Sequence, residues 1–481
     1  MTATLPRPER IAAGIRLRPG SVIGAHSADT HTPGAHPRRN ALIVAGIVLA
    51  LAALYCTLSI QRHHQMLTTG YDLGIFEQEV RSYASGQWPT ALLKGPNYSL
   101  LGDHFSPIVA LIAPFYLLFP AAETLLVCQA LLMALGVAPL TLWALRRFGW
   151  PTAAVTAGGY GLSWGLAQAV GFDFHEIAFA VPLLAFSLSA LGQGRLRAAV
   201  IWAIPLIVVK EDLGLTLAMI GALAAWRGAR RWGAAAVAVG VIATAVEMLV
   251  IIPAFNPAGA NSYTGQVASS GILSDLLSIL SPDTKIVTLV LLLAPTAFLA
   301  LRSPLLLVAA PTLLWRFLSD NPFYWGTGFH YSAVLMPIVF AAFLEGLSRV
   351  RSPRLPWLLG SALVTVVLLG TTPLAQLTTR ALWDAKPAVA VTRMVLEEIP
   401  DGATVSASNS LVPQLTARTE VSLFGMTPIA VSQPDYIIVN DDPISQFPID
   451  SRQQAVLLAD AESSDYTVVF SSEDLTLLKR R

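Results

Sequence analysis

The twenty residues ALIVAGIVLALAALYCTLSI at positions 41–60 follow Arg38-Arg39-Asn40 and carry no charge. As a helix rising 1.5 Å per residue, such a run covers roughly 30 Å, the hydrocarbon thickness of a bilayer. It is longer than the apolar region of a signal peptide and ends without a small-x-small cleavage site. The bulky Tyr55 before Cys56 is equally wrong for a lipoprotein signal. The run therefore reads as a retained first transmembrane helix.

The rest of the chain has the same character. Of 481 residues, 54% are hydrophobic and 13% charged, with a mean hydropathy of +0.59; a soluble domain carries about 25% charged residues. A polytopic α-helical membrane protein is expected. The formal net charge of +1 is silent on nucleic acid, because in a membrane protein the informative quantity is how charge divides between loops; no nucleic-acid partner is expected. Cys56 and Cys128 both fall in apolar runs and make neither a metal motif nor a disulfide framework. Residues 1–40, rich in Pro, Arg, Thr and Gly, read as a disordered cytoplasmic tail in which His26, His31 and His36 are solvated.

Apolar segments recur near 41–61, 121–146, 151–171, 177–192, 196–210, 212–227, 232–253, 284–301, 304–319, 331–348 and 355–373, about eleven spans in a transmembrane domain of 41–375. With the amino terminus cytoplasmic, the inner loops hold Arg146-Arg147, Arg195, Arg197, Arg230-Arg231, Arg302, Arg349 and Arg351. The outer loops hold Asp72, Glu77, Asp103, Asp173, Glu211 and Asp320. That is the positive-inside pattern, and it predicts a multi-pass membrane protein with its amino terminus cytoplasmic. Within the outer loop 62–120, Ser106 and Pro107 open a stretch ending at Phe119-Pro120; at about 13 residues it covers only about 20 Å, so it predicts an interfacial or re-entrant helix. An odd number of spans places the polar residues 388–481 outside. There a helix over 389–398, strand-like runs at 404–408, 420–424, 436–439 and 466–470 and a helix near 453–461 predict a small extracytoplasmic α/β domain.

In a chain that keeps charge out of its interior, the outer loop is where chemistry is expected. Leu73, Phe76, Val80 and Tyr83 recur at helical spacing through Tyr71-Asp72-Leu73-Gly74-Ile75-Phe76-Glu77-Gln78-Glu79. Asp72 stands at the start of that helix, either as a functional carboxylate or as an N-cap contributing about 1 kcal/mol. Four further clusters fall on the same side: Asp103-His104, Asp173-Phe174-His175-Glu176, Lys210-Glu211-Asp212 and His330-Tyr331. The Lys210-Glu211-Asp212 turn joins two apolar runs with almost no loop, where each charge costs up to about 2.5–3.5 kcal/mol. It is either a local ion pair with a snorkelling Lys or part of a site. His175 and Glu176, neighbours about 100° apart on a helix, cannot share one ion without ligands from elsewhere.

The motifs Tyr71–Gln78, Leu101–Pro107, Phe174-His175-Glu176, Lys210–Gly214 and His330-Tyr331-Ser332 together resemble DUF2079, a family of bacterial membrane proteins, from the first span to the carboxyl-terminal domain. The arrangement is similar to GT-C glycosyltransferases, membrane enzymes that use polyprenyl-phosphate sugars. These place an acidic residue in the first outer loop, then surface helices, then a span ending in basic residues. Asp72, the helix at 107–119 and Arg146-Arg147 hold those places, although the paired acidic motif frequent in that loop is here a single Asp72 with Glu77 and Glu79 further on.

The resemblance implies transfer of a sugar from a polyprenyl-phosphate donor to a cell-envelope glycan, lipid or protein acceptor on the outer face. Asp72 would be the general base, with Glu77 as the alternative. Lys210 and Arg316 would neutralise the leaving phosphate, and His104, His175 and His330 would orient phosphate or sugar. Asp103, Glu176, Glu211, Asp212 and Tyr331 would complete the substrate-binding surface, and the polar loop 256–270 would shape the acceptor side. No cofactor is assigned; a divalent cation among Asp72, Asp103, His104 and Glu176 fits the ligand types, but no ligand spacing demands it. The alternatives are a transporter or lipid flippase with a site at Lys210-Glu211-Asp212, and a binding scaffold built on the outer domain.

Overall fold

The computed structural model describes residues 37–260, 281–351, 353–384, 386–441 and 447–481. Most of the expected tail therefore lies outside the described residues. Its last four residues are helical: α1 runs Pro37–His64, with proline tolerated in the first turn.

Helix α1, α2 (Ile75–Ala84), α3 (Ala122–Phe148) and α4 (Arg230–Phe255) frame the chain. Among the described residues three helices, α1, α3 and α4, are long and apolar enough to cross a membrane by length and composition. The expected spans at 177–192, 196–210, 212–227, 304–319, 331–348 and 355–373 fall on shorter apolar helices such as Leu213–Trp226 and Leu335–Ser348. Prolines account for part of the shortening, since Pro205 and Pro295 lie in 3-10 turns that interrupt α-helical bonding. The segment 151–171 divides into Trp150–Gly161 and Trp164–Val170, and 284–301 ends as helix Asp283–Leu293 followed by short turns. Among the described residues the expected eleven spans thus meet three helices of membrane length.

Close backbone approach fixes one hairpin that matters for the site. A Cβ placed on Gly240 would lie 2.2 Å from the Gly214 carbonyl oxygen, so helix Leu213–Trp226 meets α4 through glycine on both sides. The Thr244 hydroxyl on α4 donates to the Glu211 carbonyl at 2.8 Å, which ties the Lys210-Glu211-Asp212 turn to α4.

The expected interfacial helix exists as a 3-10 turn Pro107–Ile112 running into helix Ala113–Leu118. Ser106 precedes it without a capping side-chain bond. Leu111, Phe115, Leu117, Leu118 and Phe119 stand exposed on it, as an interfacial element requires.

The carboxyl-terminal sheet has five strands: β1 (Thr404–Ala407), β2 (Glu420–Leu423), β3 (Tyr436–Asn440), β4 (Tyr466–Ser471) and β5 (Leu475–Arg480). Their order is β2-β1-β3-β5-β4; β1 pairs parallel with β2 and β3, while β5 lies antiparallel to β3 and β4. The fifth strand is not foreseen by the sequence reading, because Leu475-Thr476-Leu477-Leu478 is leucine-rich and carries little β preference. Helices Pro387–Glu397 and Ser451–Ser463 flank the sheet, the second opening on an Asp450/Gln453 capping box.

This sheet is not a separate body. Met66, Ile75, Leu93 and Leu100 of the outer loop share a core with Val405, Leu411, Val412, Val421 and Leu477. Each fully buried side chain of this size contributes about 1.5–3 kcal/mol. Gly70 makes the approach feasible, since a Cβ there would sit 2.4 Å from Val412 Cβ. The outer loop and the sheet are built as one unit.

Candidate functional site

The chain enters the site through a single π-helical turn, Gly70–Gly74, that runs directly into α2. Asn409, between β1 and β2, holds that turn: its side-chain oxygen accepts from Tyr71 N at 2.9 Å and its carbonyl from Gly70 N at 2.7 Å. The helix start is capped from another segment. The Asp173 carboxylate accepts from Thr69 N at 3.1 Å and from the Thr69 hydroxyl at 2.6 Å. The capping reading of Asp72 is thereby corrected, because Thr69 is the N-cap residue and no side chain of the turn caps it.

Asp72 instead points across to His175. Its Oδ1 lies 3.1 Å from His175 Nε2, and a third of its side chain is open to the cavity. His175 is held on every side. Its backbone N–H donates to Gln129 Oε1 at 3.1 Å, its Nδ1 lies 3.2 Å from the Asp173 carbonyl, and its ring stacks on His330 with centroids 3.4 Å apart. Gln129, fully buried in α3, also donates to the Asp173 carbonyl at 3.0 Å. It is a positioning residue that sequence reading did not single out, although an amide in the middle of an apolar run was the available signal.

The remaining charges form pairs across segments. Lys210 Nζ donates to Glu176 Oε1 at 2.7 Å, with Glu176 almost wholly buried. His104 Nδ1 meets Glu211 Oε1 at 2.8 Å, and Phe105 N–H donates to the other Glu211 oxygen. Trp315 Nε1 donates to Asp212 Oδ2 at 2.8 Å. Lys94 bridges Asp103 at 3.0 Å and the Tyr71 hydroxyl at 3.1 Å. The snorkelling picture of Lys210 gives way to a pairing with a different helix.

These pairings set the protonation of the outer-loop groups. Burial alone would raise Glu211, but His104 and Lys210 outweigh it and bring it down to about 2. Burial likewise disfavours a charged His104 and an ionised Asp103; the carboxylate of Glu211 nevertheless raises His104, and His104 with Lys94 lowers Asp103. His330 moves the other way, depressed by burial and by His175. Asp173 is pushed up to about 7 by burial and by Asp72.

A cavity of about 910 Å³ opens between the helices and the sheet. Ten of the twelve expected residues line it: Asp72, Asp103, His104, His175 and Glu176 on one part of the wall, and Lys210, Glu211, Asp212, His330 and Tyr331 on the other. Two do not. Glu77 faces away from it, accepting from the Tyr116 hydroxyl at 3.0 Å and from the Thr416 hydroxyl, with burial pushing it up to about 7. Arg316 is wholly buried behind the wall, donating to the carbonyls of Tyr324, Gly326 and Tyr331 and to the Ser332 hydroxyl. Its donors stitch the loop that carries His330.

Lys94, Tyr71, Glu79 and Trp315 line the cavity although sequence reading assigned them no role. The expected cation ligands do not converge. Asp72, Asp103, His104 and Glu176 each belong to a different pair, and among the described residues no group of three or more His, Cys, Asp or Glu is placed to hold a metal ion. Of the acceptor-side loop, 261–270 lies outside the described residues; Asn256 is buried and donates to the Gly102 carbonyl at 2.8 Å.

The helical body, the interfacial helix and the outer unit together define a membrane protein with a fold like that of the GT-C glycosyltransferases. The crystal structure of ArnT from Cupriavidus metallidurans bound to undecaprenyl phosphate superposes with a TM-score of 0.58 at 14% identity, over 90% of this chain and 97% of that one. The same protein in the apo state gives 0.56, with the same identity and coverage. The chain belongs to the family described as predicted membrane protein (DUF2079), whose model matches residues 62–477. No curated protein matches it in sequence.

Proposed function

We propose that the protein is a glycosyltransferase that moves a sugar from a polyprenyl-phosphate donor to an acceptor hydroxyl on the extracytoplasmic face, with the amino terminus cytoplasmic. The observation that carries the reading is Asp72: a carboxylate with one oxygen on His175 and part of its side chain open to a 910 Å³ cavity. Lys94 and Lys210 line that same cavity. A base, fixed cations and a space large enough for a sugar headgroup stand together.

In this reading the acceptor hydroxyl oxygen attacks the anomeric carbon and the bond from that carbon to the phosphate oxygen breaks, with inversion. Asp72 takes the hydroxyl proton as general base, a role worth about 10²–10⁴-fold. The electron pair leaves with the polyprenyl phosphate, whose developing charge Lys210 and Lys94 meet. His175 keeps the Asp72 carboxylate aimed at the cavity, and His104 fixes Glu211 beside Lys210. The ArnT structure with undecaprenyl phosphate supports a polyprenyl lipid as the donor class, and the acceptor is a hydroxyl of an envelope glycan, lipid or protein.

The test is release of polyprenyl phosphate. Purified protein given a panel of polyprenyl-phosphate sugars and envelope extracts should liberate the lipid phosphate and label an acceptor. Intact donor throughout the panel would remove the reading.

A further inference from the structure

Glu79 lies on α2, seven residues after Asp72 of the π-helical turn that leads into it. Both residues line the cavity, whereas Glu77 between them turns away. Glu79 is 1% exposed. Among the described residues neither of its carboxyl oxygens has a hydrogen-bond partner. Leaving one such group without a partner costs about 1–3 kcal/mol, and a folded chain that keeps such a cost calls for a functional or structural reason. Every other carboxylate in the cavity wall is hydrogen-bonded to a partner named above.

We propose that Glu79 reads the transferred sugar, hydrogen-bonding a pair of its uncharged hydroxyl groups through both carboxyl oxygens. This rests on the glycosyl-transfer reading of the same cavity. The titratable groups facing Glu79 are Glu176 and Asp103, with Tyr83 one turn along its own helix. Glu176 and Asp103 pair with Lys210 and Lys94, and among the described residues neither Glu79 oxygen meets a cation. A buried carboxyl without a counter-charge keeps its proton. In that form it offers one O–H donor and one carbonyl acceptor, the complement of two neighbouring sugar hydroxyls. A sugar whose anomeric carbon lies beside Asp72 extends along α2 towards it.

The test uses the full-length protein in detergent, with Glu79→Leu and Glu79→Gln. Leucine fills similar volume and removes the unsatisfied atoms, so E79L should melt at or above the wild-type temperature while transferring at least about 100-fold more slowly. E79Q, which keeps a donor and an acceptor, should lose less than about 10-fold. An E79L protein that melts below wild type would assign Glu79 a structural role and overturn the proposal. So would an E79L protein as stable as wild type that transfers as fast, and that outcome would leave the glycosyl-transfer reading standing. Loss in E79Q as deep as in E79L would overturn the uncharged-hydroxyl assignment in favour of an ionic contact. Absence of transfer by wild-type protein from every donor would remove the function and the proposal together.

Discussion

The Asp72 carboxylate and the His175 imidazole, 103 residues apart in sequence, meet at 3.1 Å between Oδ1 and Nε2. His175 reaches that position because Gln129, Asp173 and His330 hold its backbone, its other ring nitrogen and its ring face. Replacing His175 by Ala should lower kcat by about 10–100-fold, with the KM for donor lipid little changed, because the lost interaction orients the base and does not bind substrate. A rise in KM at constant kcat would move His175 from the base to the binding surface.

The Lys210–Glu176 pair couples the site to the fold. Glu176 is 1% exposed at its side chain, and removing one partner of such a pair costs about 3–5 kcal/mol. Lys210→Met should therefore melt well below wild type, and Lys210→Met with Glu176→Leu should recover most of the stability. Neither variant should recover transfer, since a methionine cannot meet the leaving phosphate. Equal melting of the single and double variants would show that the two groups do not act as a pair.

The His104–Glu211 contact has a pH signature. Glu211 is depressed from an ordinary 4.5 to about 2, so its contribution is present above about pH 4.5 and fades as pH falls towards 2. His104 is raised above its ordinary 6.5, so its contribution is complete below about pH 6.5 and is lost as pH rises through the raised value. The melting difference between wild type and His104→Ala should be largest between those limits and shrink on both sides. A difference flat from acid to alkaline pH would exclude an ionic contact.

The outer loop and the sheet fold as one unit through Gly70. A Cβ there would meet Val412 at 2.4 Å, so Gly70→Ala should cost about 1–3 kcal/mol of stability. Adding Val412→Ala should return part of it. Full stability of Gly70→Ala alone would mean that the loop and the sheet are not packed together at this point.

Much of this was legible from sequence because charge is costly beside lipid. The few carboxylates, lysines and histidines at the outer ends of apolar runs marked nine residues that do line one cavity, with Tyr331 beside His330 as the tenth. Which of them would pair was not legible, since Asp72 with His175 and Lys210 with Glu176 are tertiary contacts between segments far apart in the chain. Glu77 read as the alternative base, yet it turns away to Tyr116 and Thr416, while Glu79, two residues further along α2, lines the cavity. Arg316 read as a phosphate ligand because a cation at lipid-headgroup depth suits a leaving polyprenyl phosphate. The carbonyls that consume its donors belong to a loop containing Phe329 at φ 62°, a conformation that no local signal announced. Continuous helices were expected where Pro205 and Pro295 divide apolar runs of sufficient total length.

The central claim is that Asp72 is the base of a transfer reaction in this cavity, and the rate of sugar transfer by Asp72→Asn tests it most directly. The variant should melt within a few degrees of wild type, because the side chain keeps its shape and a third of it faces open space. Its transfer from polyprenyl-phosphate sugar should fall by at least about 100-fold. A folded Asp72→Asn protein transferring at the wild-type rate would contradict the account.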